Sequence, residues 1–97
     1  MDAFDVFHKE TCVTFREHDA KNHTYIKFVK DQGCGSTIGY RPGQTEPLLV
    51  AYSKYCLTVP GAIQHELFHV AGLFHEQCRP DRDEYIKVMW ENIDSRK

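Results

Sequence analysis

His65-Glu66-Leu67-Phe68-His69-Val70-Ala71-Gly72-Leu73-Phe74-His75 is the stretch on which the reading of this chain turns. It fits the pattern His-Glu-x-x-His-x-x-Gly-x-x-His. At about 100° per residue, His69 lies roughly 40° around a helix from His65 and one turn along, so both imidazoles point the same way and can share one ion. Ile63, Leu67, Val70 and Ala71 fall on the opposite side and are expected to bury in a core. A helix that simply continued would carry position 75 out of reach of that ion. Gly72 permits the positive φ that ends the helix and turns the chain back, and His75 then supplies a third nitrogen. Three protein ligands leave a fourth position open, the pattern of catalytic rather than structural zinc. Glu66 flanks the ligand face and is placed to take a proton from an attacking water and to pass it to a leaving amine. These five positions would coincide by chance about once in a few million windows. His8, His18 and His23 lack ligand spacing and read as surface residues.

Outward from this segment, proline at position 60 suits the first turn of the helix, and Pro80 excludes continued helix there. Asp2 to Lys9, with Phe4 and Phe7 three apart, suits an amphipathic helix. Thr24 to Val29 carries the best strand signal, and Leu48 to Tyr52 reads as another strand. Shorter strands are expected at Cys12 to Phe15, Ser36 to Tyr40 and Tyr85 to Trp90. Between them, Glu17 to His23 and Arg41 to Glu46 read as loops. Helix, strands, helix, strand in 97 residues makes one small domain of mixed α/β or α+β type.

Composition excludes several classes. Hydrophobic residues make up 41% and charged residues 27%, the balance of a globular chain rather than a disordered one. The net charge of −2, with signs interspersed, gives no footprint for nucleic acid and no polybasic membrane patch. No apolar run approaches membrane-spanning length. Met1 is followed by Asp2, Asp5 and Lys9, so no signal peptide is visible. Four cysteines, Cys12, Cys34, Cys56 and Cys78, allow three pairings as two disulfides, or free thiols if the chain is cytosolic.

The histidine pattern places the chain among the metzincins. The residues C-terminal to it narrow the resemblance: Glu76 directly after His75, then Arg79, Asp81-Arg82-Asp83, Tyr85, and Trp90-Glu91-Asn92-Ile93. Upstream, Lys9-Glu10-Thr11-Cys12, Tyr25-Ile26 and Gly33-Cys34 complete it. Over nearly its whole length the chain resembles the astacin family.

That resemblance implies an α+β, metzincin-like upper subdomain at residues 1–97, a twisted mixed sheet with an active-site helix, and no C-terminal subdomain. It implies a secreted zinc metalloendopeptidase with one Zn²⁺ on His65, His69 and His75, with Glu66 as general base and acid. Protein or peptide would be the substrate. It implies a Cys34–Cys56 disulfide, and leaves Cys12 and Cys78 without inherited partners. The family's Met-turn, its following tyrosine, and the mature N-terminus docked near the glutamate matching Glu76 have no counterpart here. The chain is therefore expected to be a piece of something longer, whose exposed helix underside (Leu67, Val70, Ala71) favours association. Arg79, Asp81, Arg82 and Asp83 are expected to form a structural salt-bridge network. The alternative to an enzyme is a catalytically impaired zinc-binding half-domain, a truncated product or an interaction module.

Overall fold

A computed structural model describes residues 3–18 and 24–96. Helix α1 spans Ala3–Glu10. Three strands follow: β1 (Ile26–Lys30), β2 (Gly35–Ser36) and β3 (Leu48–Tyr52). Then come the short α2 (Lys54–Thr58), α3 (Ala62–Val70), and 3₁₀ turns at Glu76–Cys78, Arg82–Glu84 and Trp90–Asn92.

The sheet order is β1-β3-β2. β1 runs parallel to β3, with Ile26 opposite Leu48 and Phe28 opposite Val50. β2 is antiparallel to β3, with Ser36 opposite Val50. Alternation along β3 sends Leu48 and Val50 inward while Leu49 stays exposed. The inward pair meets Val70 of α3, and Ile26 packs against this cluster. Leu67, one turn earlier on α3, is fully buried. This is an α+β arrangement: one helix laid on a small mixed sheet.

α1 attaches through aromatic rings. The Phe7 ring lies 4.8 Å from that of Phe68 on α3 and 5.3 Å from that of Phe15, while Phe4 stacks on Phe15 at 4.8 Å. Phe7 is buried as a result. The disulfide Cys34–Cys56, with Cα atoms 6.0 Å apart, ties the segment before β2 to α2. Cys12 and Cys78 are free and exposed.

Several expectations give way. Cys12 to Phe15 is not a strand: Val13 N–H bonds to Thr11 Oγ1 and Phe15 N–H to His8 Nε2, so these groups are satisfied locally rather than by a neighbouring strand. The strand expected at Ser36 to Tyr40 shrinks to Gly35–Ser36, because Gly39 takes a positive φ of 69° and its N–H turns to the His69 carbonyl. Tyr85 to Trp90 is not a strand either. Tyr85 and Ile86 N–H both bond back to the Arg82 carbonyl, which curls the chain. α3 begins at Ala62 rather than at Pro60, because α2, which was not expected, occupies the preceding residues and Gly61 turns at φ 86°. The helix underside is not the exposed apolar face that was expected: Leu67 and Val70 are 0% and 8% exposed, Val70 packing with Leu48 and Val50 of the sheet, and of the three residues only Ala71 is exposed. His23 and Asp2 lie outside the described residues.

Candidate metal centre

α3 delivers two of the three histidines, and the way it ends delivers the third. Gly72 follows the C-cap Ala71 with φ 107°. Its N–H bonds to the His69 carbonyl, and Leu73 N–H bonds to the Phe68 carbonyl, at 2.9 and 3.0 Å. This pair of bonds is a Schellman motif with glycine at the left-handed position. The Gly39 N–H reaches the same His69 carbonyl at 2.9 Å. A Cβ on Gly39 would lie 3.5 Å from the Gly72 Cα, so the loop after β2 packs directly on the turn. The sheet edge thereby braces the point where the chain reverses.

After the turn, the His75 ring centroid lies 5.3 Å from that of His65 and 4.9 Å from that of His69, while His65 and His69 are 4.5 Å apart. One nitrogen from each of the three falls within 4.8 Å of the others. A tetrahedral zinc with bonds of about 2.0 Å wants its ligand nitrogens about 3.3 Å apart, so the three would close in on the ion. His69 Nδ1 sits 2.7 Å from the Leu73 carbonyl. A carbonyl only accepts, so Nδ1 carries the proton and donates, which leaves Nε2 with its lone pair free. The same turn that brings in His75 thus also sets the tautomer of His69. Nitrogen donors, convergent geometry and an oriented imidazole fit a zinc ion. Phe68, Leu73, Phe74, Glu76 and Gln77 complete a cavity of about 520 Å³ around the three histidines.

Glu66 follows His65 on α3 and is 7% exposed, and its side chain is not among those lining the cavity of the histidines. Its Oε2 accepts a hydrogen bond from Ser36 Oγ at 3.0 Å, and the same hydroxyl lies 3.2 Å from the Glu66 main-chain carbonyl. Sequence reading missed Ser36 altogether. It stands 30 positions upstream, and no local spacing ties it to the carboxylate.

Beyond His75, Arg79 grips Asp81 with two parallel bonds, Nε to Oδ1 at 2.8 Å and Nη2 to Oδ2 at 2.7 Å. Its Nη1 lies 3.5 Å from Glu76 Oε2. That pairing holds the Asp81 carboxyl below the usual carboxylate range and raises the Arg79 guanidinium. Arg82 donates to the Gln77 carbonyl at 3.2 Å, lies 3.6 Å from Asp83, and stacks over the Trp90 ring at 5.5 Å. The expected ion pairs form two separate groups, Glu76–Arg79–Asp81 and Arg82–Asp83, rather than one network, and both lie in the segment behind the third histidine. Every member is at least partly solvated, so its worth is conformational more than energetic.

Comparison with known proteins agrees with this geometry. The zinc metalloproteinase nas-4 of Caenorhabditis elegans is 44% identical over 92 residues, which is 94% of this chain and 28% of the relative. Meprin A subunit alpha of Mus musculus is 36% identical over 94 residues, 96% of this chain and 12% of the relative. Among solved structures, high choriolytic enzyme 1, a hatching-enzyme zinc protease of Oryzias latipes, superimposes with a TM-score of 0.75 at 35% identity. That match covers 97% of this chain and 45% of the other. The chain thus spans less than half the length of each of these proteins. The model of the astacin peptidase family matches residues 1–97, and the chain belongs to the astacin family.

Proposed function

We propose that this chain forms the zinc-binding part of an astacin-type endopeptidase that cleaves peptide bonds in protein or peptide substrates. The observation that carries the reading is the convergence of His65, His69 and His75, with the nearly buried Glu66 next to His65 on the same helix. One Zn²⁺ would be held by the three histidines. Bound there, zinc supplies a Lewis acid that brings a water's pKa toward neutrality and polarises a carbonyl. Glu66 is the general base and then the general acid: it takes the proton of the attacking water and gives it to the leaving amine. The Ser36 hydroxyl fixes one of its two oxygens. The domain at residues 1–97 is read as one part of an astacin-like peptidase domain.

The disulfide supports a secreted location, since such bridges form and persist in oxidising compartments. Among the described residues no helix is long and apolar enough to cross a membrane. The charge balance supports neither nucleic acid nor a membrane surface as partner.

A second reading, a zinc-binding half-domain of impaired activity, has its own supporting observation. Among the described residues, the cavity lining beside the histidines offers one side-chain amide donor, Gln77, and no Tyr, Arg or Lys to stabilise an oxyanion. Removing one such donor typically costs about a hundred- to a thousandfold in rate. The 97-residue polypeptide assayed by itself is therefore expected to bind zinc at one ion per chain and to turn over slowly.

The test is metal analysis and hydrolysis of an unfolded protein by the zinc-loaded chain. His69→Ala should lose stoichiometric zinc, and Glu66→Gln should keep zinc while losing hydrolysis. Full zinc in His69→Ala, or hydrolysis undiminished in Glu66→Gln, overturns the endopeptidase reading. Zinc binding with no hydrolysis above the Glu66→Gln background selects the half-domain.

A further inference from the structure

We propose that Ser36 is a positioning residue for Glu66: its hydroxyl holds Oε2 and leaves Oε1 as the oxygen that exchanges the proton. The inference rests on the endopeptidase reading for its catalytic consequence, but not for the contact itself.

Two acceptors compete for the Ser36 proton, Oε2 of Glu66 at 3.0 Å and the Glu66 main-chain carbonyl at 3.2 Å. A hydroxyl has one hydrogen to give. The main-chain carbonyl lies within α3, where position 66 already accepts from the N–H four residues on. The carboxylate is charged and the stronger acceptor, so the proton goes to Oε2. A carboxylate that is 7% exposed needs such a donor, because burying it unpartnered is costly.

The two carboxylate oxygens are then unlike. Oε1 makes no hydrogen bond among the described residues, and no buried side-chain oxygen there lacks a partner. Oε1 therefore retains contact with solvent. One oxygen is tethered and the other is open, which is the division a proton shuttle needs. Without the tether the carboxylate rotates about its terminal torsion, a broad and nearly two-fold well, and exchanges the two oxygens.

The tether is itself anchored. Ser36 is the last residue of β2, opposite Val50 at the fully buried centre of β3. Immediately beyond it, Thr37 N–H bonds to the Leu49 carbonyl, and Thr37 Oγ1 accepts from Leu49 N–H. The short strand between the disulfide at Cys34 and the Gly39 contact on α3 is thus pinned on both sides of Ser36. Its hydroxyl is held relative to α3 by the fold, not by its own rotamer alone.

Two measurements on the zinc-loaded chain test this, using Ser36→Ala and the hydroxyl-retaining Ser36→Thr. The first does not need activity. The side-chain carboxyl ¹³C resonance of Glu66, assigned by its loss in Glu66→Gln, should move in Ser36→Ala and return toward its place in Ser36→Thr. The second is steady-state kinetics on a fluorogenic peptide. Losing a hydrogen bond to a charged group should lower kcat about tenfold in Ser36→Ala, with KM and zinc affinity unchanged and with recovery in Ser36→Thr. A resonance that stays in place in Ser36→Ala overturns the contact. A kcat unchanged in Ser36→Ala overturns the positioning role. Should the wild type show no hydrolysis above the Glu66→Gln background, the endopeptidase reading fails, and the carbon resonance alone decides whether Ser36 holds Glu66.

Discussion

Replacing Gly72 with alanine strains the turn that assembles the three histidines, and the size of the effect can be worked from local geometry. Gly72 sits at φ 107°, where an L side chain is strained whatever the space around it. An added Cβ would meet nothing within 4 Å, so the cost is backbone strain alone. Strain of this kind is worth roughly 1–3 kcal/mol, offset by roughly 0.4–1 kcal/mol because alanine restricts the unfolded chain. A net loss of about 1–2 kcal/mol corresponds to about 4–16 °C in Tm for a domain of this size. The zinc-bound state must bear that loss whole, because holding His75 against its partners requires the turn. The metal-free state has a choice. If it keeps the turn, it loses the same stability and zinc affinity is unchanged. If it relaxes the turn, its stability is spared and zinc affinity falls about 5- to 30-fold instead. Urea unfolding with and without zinc, together with zinc affinity from chelator competition, measures both parts. Gly33→Ala is the control: it too has nothing within 4 Å, its φ is not positive, and it should be neutral or slightly stabilising. A Gly72→Ala protein with wild-type stability and wild-type zinc affinity, or a Gly33→Ala protein hurt as badly, refutes the assignment of this turn as the device that brings in the third ligand.

Three further outcomes are expected. Removing the bridge with Cys34→Ser and Cys56→Ser together should lower unfolding stability by about 3 kcal/mol, since it frees a loop with a sequence separation of 22; non-reducing peptide mapping that finds Cys12 or Cys78 in the main native bridge would contradict the pairing. Leu67→Ala empties a fully buried site on α3 and should cost about 2–5 kcal/mol, so a change in the urea midpoint no larger than that of an exposed Leu49→Ala control would show that the core is not where the structure has it. Because Arg79 depresses the Asp81 carboxyl in the folded state, its contribution is present above the unfolded carboxylate range and is lost as pH falls through the folded pKa. Asp81→Asn should therefore be slightly less stable than wild type at neutral pH and equal to it in strong acid; a deficit that persists where carboxylates are protonated would mean that the pair acts through something other than charge.

What was legible in the sequence divides along a physical line. The histidine cluster was readable because its geometry is generated within one consecutive run, from His65 to His75, by helix periodicity and one glycine. Neither quantity depends on the rest of the fold. β1 and β3 were readable as strands for the same reason, since alternation is local. Their parallel pairing and the placing of β3 between β1 and β2 were not, because register is settled by what the strands bury together. Alternation misled at Cys12 to Phe15 and Tyr85 to Trp90, where apolar side chains have non-sheet destinations. Phe15 is claimed by the Phe4 and Phe7 rings, and Trp90 by the Arg82 guanidinium. A periodic pattern reports that side chains want burial or stacking, and only a neighbouring strand converts that into a ladder. α2 carried a readable signal in Ser53, whose hydroxyl caps the helix by accepting from the Cys56 N–H. The long-range contacts were invisible in principle. Ser36 meets Glu66 across 30 residues, and the Gly39 N–H meets the His69 carbonyl across the same gap between sheet edge and helix. Those two contacts come from one short edge segment, Ser36 to Gly39. That segment therefore holds both the Glu66 carboxylate and the helix end from which His75 departs. The motif supplies the donors, and this edge segment sets how rigidly they are presented.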